Sequence, residues 1–217
     1  MTIVVDYDAG NLRSVETALL HLGEEHVISD DPQVVRGASR IIFPGVGDGA
    51  HAMTVLQERK LDRAMRTAAE AQIPILGICV GCQIVLDRTE ERNAQCLGLI
   101  PGVAARFAPG TGLKVPHIGW NGVRHAEGHW LFDGVAQDTS FYFVHSYYPR
   151  PQHERDVIAT TDYGIRFAAA VERGSLVAVQ FHPEKSGEPG LRLLKNFLGH
   201  VPAAARPAPS TPVSGGG

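Results

Sequence analysis

The chain has little cysteine. Three thiols, Cys79, Cys82 and Cys96, in 217 residues are too few, and odd in number, for a disulfide framework. A zinc site of the paired CxxC type would need two more soft ligands at similar spacing. No second pair and no HxxxH-type cluster follows Cys96, so neither a metal nor a cofactor is expected. An excess of one charge is also lacking: 20 basic residues face 23 acidic ones, for a formal net charge of −3, and no Lys/Arg block could track a phosphate backbone. Nucleic acid is therefore not an expected partner. No apolar run approaches the roughly 20 residues that cross a bilayer. The opening MTIVVDYDAG has neither the basic segment nor the cleavage site of a signal peptide, so a cytoplasmic protein with no membrane partner is expected. No internal repeat is found.

What is present reads as one globular unit, 44% apolar and 20% charged. Ile3-Val4-Val5 is a buried strand. Asn11 is placed to cap a helix in which Leu12, Val15, Leu19, Leu20 and Leu22 recur at helical spacing until Gly23. Arg40 to Phe43 is a second strand closed by Pro44-Gly45. Residues 50 to 71 have helical periodicity with an interruption near Lys60, and 74 to 78 form a third strand. This β-α alternation predicts a mostly parallel sheet with helices on both faces. Gly, Pro and His punctuate residues 98 to 130. Strands then follow at 141 to 144, 157 to 160 and 176 to 181, predicting antiparallel extensions of the sheet. Leu191 to Leu198 is a last amphipathic helix. The expected domain runs from 1 to 201, and the Pro/Ala/Gly-rich residues 202 to 217 are expected to be a disordered tail.

The stretch GICVGCQ, residues 77 to 83, follows the third strand directly. Its CxxC spacing admits a redox pair, half a metal site, or one nucleophile with an incidental neighbour. A strand running into Gly77-Ile78-Cys79-Val80-Gly81 and then into helix has the form of a nucleophile elbow, whose glycines let the backbone pass closely on both sides of a tight turn. The N–H groups of the following helix are expected to favour thiolate at Cys79, and the Val80 N–H to serve an oxyanion hole. A thiolate needs a base with an orienting partner. Val179 to Glu184 supplies one, a β-rich run stopping at His182 with Pro183 and then Glu184, which could hold the imidazole in the proton-accepting tautomer.

These residues resemble the class I (triad) glutamine amidotransferases and, within them, the glutaminase subunits of imidazole glycerol phosphate synthase. The resemblance runs from about Ile3 to Phe197 through YDAGNLRSV (7 to 15), PGVGDGAHAM (44 to 53), GICVGCQ, VPHIGWN (115 to 121), FVHSYY (143 to 148) and QFHPEKSG (180 to 187). It implies a three-layer, flavodoxin-like α/β fold. It also implies an enzyme of histidine biosynthesis, in which Cys79 attacks the side-chain amide of L-glutamine, His182 is the base and Glu184 orients it. Ammonia would pass to a HisF-type (β/α)8 cyclase subunit in a heterodimer.

Residue by residue, the resemblance places Gly45, Val46 and Gly47 in an oxyanion strand. Gln83 and Glu91 would contact glutamine, and His145, Ser146 and Tyr147 would hold its α-carboxylate. Asn11, Gly119, Trp120, Asn121 and Tyr142 would face the cyclase. The family commonly has Leu at Val80 and Met at Cys82, so the second cysteine is a local substitution, expected to sit in helix packing. The competing reading is a thiol-disulfide oxidoreductase using Cys79-Val80-Gly81-Cys82. A third is an inactive binding subunit, disfavoured by the complete Cys/His/Glu set.

Overall fold

The computed structural model describes residues 1–8, 11–108 and 113–200. The expected tail lies outside them. The described residues hold thirteen strands: β1 (Thr2–Val5), β2 (His26–Ser29), β3 (Arg40–Gly45), β4 (Ile75–Cys79), β5 (Arg88–Thr89), β6 (Ala94–Gln95), β7 (Gly102–Arg106), β8 (His117–His125), β9 (Thr139–His145), β10 (Tyr147–Pro151), β11 (Val157–Tyr163), β12 (Ile165–Arg173) and β13 (Leu176–Val179). The helices are α1 (Leu12–His21), α2 (Pro32–Arg36), α3 (Gly49–Glu58), α4 (Leu61–Glu70), α5 (Val80–Ile84) and α6 (Gly187–Gly199).

A nine-stranded sheet has the order β2-β1-β3-β4-β13-β12-β11-β8-β9. From β2 to β13 every pairing is parallel, and from β13 to β9 every pairing is antiparallel. Buried parallel strands need apolar side chains on both faces. The runs Ile3-Val4-Val5, Ile41-Ile42-Phe43 and Ile75-Leu76 supply them, and all are fully buried. The chain steps one way from β1 to β2 and back past β1 to β3. Right-handed crossovers therefore put α1 on one face of the sheet and α2 on the other. α2 and α3 pack against α4, while α1 lies beside α6. A second sheet, β10-β7-β5-β6, stands alongside. Among the described residues no helix is long and apolar enough to cross a membrane.

The interruption at Lys60 is real: its left-handed backbone (φ 61°) separates α3 from α4. Other elements depart from the sequence reading for identifiable reasons. β2 has four residues and lies half-exposed at the sheet edge, too short for a pattern. α2 has five residues, begun by Pro32 and capped by the Asp31 side chain on the Gln33 N–H. β12 is inconspicuous because Ala168, Ala169 and Ala170 have low strand propensity, yet they are buried between β11 and β13, and packing overrides propensity there. β10 contains Pro149 and Pro151, tolerated because it is an edge strand of the small sheet. Residues 98 to 130, punctuated by Gly, Pro and His, hold β7 and β8. Asn11 occupies the N-cap of α1, but its side chain makes no capping bond. It is engaged elsewhere.

Candidate active site

β4 ends at Cys79, in register with Gly45 of β3. The backbone turns there with φ 56° and ψ −107°, a conformation that costs a side-chain-bearing residue energy and is tolerated where the surroundings enforce it. The enforcing contacts are close. A Cβ on Gly81 would stand 2.0 Å from the Phe43 carbonyl oxygen, and one on Gly77 would stand 2.9 Å from Cβ of Ala178. Glycine at both positions lets the elbow fold down onto its neighbouring strands.

Across the sheet β13 ends beside β4, and the chain continues through Gln180 and Phe181 to His182. Phe181 packs its ring on Phe141 at 4.2 Å and anchors the segment. The His182 N–H donates to the Tyr142 carbonyl at 2.9 Å. Ser186 Oγ donates to the His182 carbonyl at 2.6 Å and accepts the Tyr142 N–H at 3.0 Å. Pro183 begins the short 3-10 turn that brings Glu184 back under the imidazole, with Nδ1 of His182 2.7 Å from Glu184 Oε1. Asn11 Nδ2 donates to the same oxygen at 3.3 Å, while Asn11 Oδ1 accepts from Ser14 Oγ at 2.8 Å. That is why the residue does not cap α1.

Burial works against charge on His182, but the Cys79 sulfur and the Glu184 carboxylate outweigh it and hold the imidazole at about 9. The sulfur exerts this effect although Nε2 of His182 makes no hydrogen bond among the described residues. The Cys79 S–H instead points at the Val144 carbonyl, 3.8 Å away. α5, which follows the sulfur, has only five residues, so the dipole it can contribute there is small.

The sulfur opens onto a cavity of about 250 Å³ lined by Val46, Gly47, Val80, Gln83, Glu91, Pro116, Val144, His145, Ser146 and Tyr147. Segments far apart in sequence converge here. Every residue expected to contact glutamine lines this space, as do Val46, Gly47 and Val80 of the expected oxyanion set. Gly45 stands behind it, where an added Cβ would meet the Tyr7 hydroxyl at 2.2 Å and Val80 Cβ at 2.9 Å. Glu91 is pinned by the Gly49 N–H at 2.6 Å. Burial pushes its carboxyl up, partly offset by that bond.

Cys82 takes no part in the cavity. It is fully buried in α5, and burial, with the Cys79 charge, pushes its thiol well up. Among the described residues no group of three or more His, Cys, Asp or Glu side chains could hold a metal.

Residues expected to meet a partner occupy the neighbouring surface. Trp120 is 59% exposed and pairs across strands with Tyr142, their rings 6.0 Å apart. Asn121 Nδ2 donates to the Asp162 carbonyl at 2.8 Å. Gly119 has an open φ of 132° with nothing close to its missing side chain. Three residues near the site escaped the sequence reading. Ile118 is 56% exposed, two residues from Trp120 on the same strand face, which I-G-W spacing in a strand would have signalled. His117 and Gln180, both buried, stand inside quoted motifs and carried no local signal of their own.

The model of the class-I glutamine amidotransferase family matches residues 3–201. Imidazole glycerol phosphate synthase subunit HisH of Nitratidesulfovibrio vulgaris (strain DP4) is 48% identical over 211 residues, 94% of this chain and 99% of that protein. The subunit of the same name from Methylococcus capsulatus (strain ATCC 33009 / NCIMB 11132 / Bath) is 47% identical over 213 residues, 94% and 98% of the two chains. Among solved structures, a glutamine amidotransferase crystal structure superposes with a TM-score of 0.72 at 21% identity, over 90% of this chain and 96% of that one. PurLQS from Thermotoga maritima gives 0.71 at 20% identity, over 91% and 96%. These last two speak for the fold alone. Family match and close relatives together extend over nearly the whole sequence that builds the elbow, the His182–Glu184 pair and the cavity, so the chain belongs to the class-I glutamine amidotransferases and is an enzyme of that family.

Proposed function

We propose that this chain is the glutaminase subunit of an imidazole glycerol phosphate synthase, acting in L-histidine biosynthesis in the cytoplasm, with residues 1 to 201 as its amidotransferase domain. The observation that carries the chemistry is the meeting of three things at one sheet edge. They are a strained cysteine, an imidazole tied at 2.7 Å to a buried carboxylate, and a cavity into which the sulfur opens. The relatives that match over nearly the full chain supply the biological setting.

In this reading glutamine enters the cavity with its α-carboxylate at His145-Ser146-Tyr147 and its α-ammonium group toward Glu91, with Gln83 beside it. The Cys79 sulfur attacks the side-chain amide carbon once its proton has passed to His182, whose raised hold on a proton favours that transfer. Negative charge gathers on the amide oxygen and is met by backbone N–H groups of Val80 and of the Gly45-Val46-Gly47 segment. The tetrahedral adduct collapses, the C–N bond breaks, and the imidazolium of His182 protonates the departing ammonia. Water, deprotonated by His182, then cleaves the thioester to glutamate and restores the thiol. Glu184 holds Nδ1 throughout and stabilises the imidazolium.

Ammonia released to bulk water becomes protonated and ceases to be a nucleophile, so it requires a covered route to its acceptor. We assign that role to a HisF-type cyclase subunit docked on the surface around Trp120, Asn121 and Tyr142, with Asn11 at its margin. There ammonia would help form imidazole glycerol phosphate and aminoimidazole carboxamide ribotide. An exposed Trp packed edge-on against a Tyr is a suitable hot-spot anchor. The Tyr142 carbonyl also holds the His182 N–H, giving a docked partner a direct hold on the base. Glutamate release should be slow for the isolated chain and fast with the cyclase carrying its nucleotide. A full rate without the cyclase, or none in the complete complex, would overturn the reading.

A further inference from the structure

The Cys79 sulfur has a polar neighbour besides the imidazole. Gln180 is fully buried and points Nε2 of its amide at Sγ, 3.7 Å away. Rotated by half a turn, the same amide would place its oxygen against the sulfur and oppose negative charge there. What fixes its direction is the backbone carbonyl of Tyr147, which can only accept. That oxygen receives Gln83 Nε2 at 3.0 Å, so the Gln83 amide is oriented with its nitrogen inward. The same nitrogen gives its second hydrogen to Gln180 Oε1 at 3.0 Å. With its oxygen engaged, Gln180 must turn its nitrogen to Cys79.

The Tyr147 carbonyl sets the opposite branch as well. His145 Nδ1 stands 2.7 Å from it and must carry the hydrogen, which leaves His145 Nε2 as the acceptor for Nδ1–H of His117 at 3.0 Å. One backbone oxygen thereby determines two amide orientations and two imidazole tautomers.

A sulfur that surrenders its proton while 3% exposed needs donors close by, and the five-residue α5 is a weak one. We propose that Gln180 is a catalytic residue of this site, its amide N–H stabilising the negative charge left on Cys79 when the proton passes to His182, with its direction imposed by the Tyr147 carbonyl through Gln83. This rests on the reading of Cys79 as the nucleophile. The proton moves from Sγ to Nε2 of His182, and Gln180 neither gains nor loses one.

Two variants of the full-length chain separate this role from simple core filling. Gln180→Met keeps the volume and removes the donor. Gln180→Glu keeps the oxygen that Gln83 binds and puts a second oxygen against the sulfur. The measurement is the rate of Cys79 alkylation by iodoacetamide, followed by mass spectrometry from about pH 6 to 10, with thermal melts alongside. At neutral pH Gln180→Met should react at least about tenfold more slowly than the wild type, the loss of one hydrogen bond to a charged group, and the gap should narrow at alkaline pH. Gln180→Glu should be slower still. Wild-type rates in Gln180→Met, a deficit that is the same at every pH, or a Gln180→Glu variant faster than Gln180→Met would each overturn the proposal. Failure of the underlying reading looks different: Cys79→Ala would then retain glutamate release in the complete complex.

Discussion

The two sides of the Cys79 sulfur are built from different chemistry. On one side stand His182, Glu184 and Asn11, a short relay that carries charge, with the imidazole held at about 9. On the other stand Gln180, Gln83, His145 and His117, a longer chain that stays neutral, because burial above all holds His145 at about 3 and His117 at about 4. The charged side can exchange a proton with the sulfur within the working pH range. The neutral side cannot, and so its hydrogen-bond polarity stays fixed while the charge moves. Division of labour follows: one side transfers the proton, the other holds the geometry that the transfer leaves charged. The member of each side that faces the sulfur comes from one short stretch, since Gln180 and His182 are alternate residues with Phe181 anchored in the core between them.

Breaking the charged side should have the larger effect. Glu184→Gln keeps shape but removes the charge that stabilises imidazolium, and glutamate release in the complex should fall by about 10²-fold or more. The linkage sign gives a second readout. His182 sits above its ordinary 6.5, so its contribution to stability is complete below about 6.5 and lost as pH rises through about 9. Melting temperature against pH should therefore decline less steeply on the alkaline limb in Glu184→Gln than in the wild type. An unchanged limb would place the origin of the His182 shift elsewhere.

The neutral side should respond at the opposite end of the pH scale. His117 and His145 sit below 6.5, so their contribution is present above about 6.5 and lost as pH falls toward about 4 and about 3. His117→Phe keeps a ring in the stack between Tyr163 at 4.0 Å and Phe143 at 5.0 Å and removes one of the two titrating groups. Thermal melts should show a shallower loss of stability below about pH 6.5. Its effect on turnover should appear mainly in KM, because His145 loses the donor that holds its ring at the cavity wall. A fall in kcat with KM unchanged would argue against separate roles for the two sides.

The smallest effect belongs to Cys82. Cys82→Ala removes a small buried thiol and should cost about 1 kcal/mol of stability while leaving glutamate release within about twofold of wild type. Chemical denaturation and the coupled assay measure the two quantities, and a large loss of activity at intact stability would return the CxxC pair to consideration.

Much of the charged side was legible in the sequence. A strand entering Gly-x-Cys-x-Gly, and a strand-end His-Pro-Glu, each carry their local geometry in their residue types: glycines where Phe43 and Ala178 press against the elbow, a proline where the chain must turn. The neutral side was largely illegible because its links are non-local. His117 meets His145 across β8 and β9, Gln83 meets Gln180 from α5 to the end of β13, and the Tyr147 carbonyl that orients them all has no side-chain signature. The fold divides similarly. The parallel strands announced themselves as apolar runs, whereas β12 with its alanines and β10 with its prolines became strands only through the neighbours that bury or border them. Asn11 shows the limit of local reasoning, since the residue type that caps helices is spent on Glu184 instead.

The chemistry of the site turns on which thiol becomes covalently linked to substrate. A glutamine analogue with an electrophilic carbon in place of the amide should be added to the complete complex with a HisF-type cyclase and nucleotide, and the adduct mapped by mass spectrometry. One adduct per chain on Cys79, with Cys82 and Cys96 unmodified and glutamate release lost in proportion, is the predicted result. An adduct on Cys82, or continued turnover with Cys79 fully modified, would contradict it.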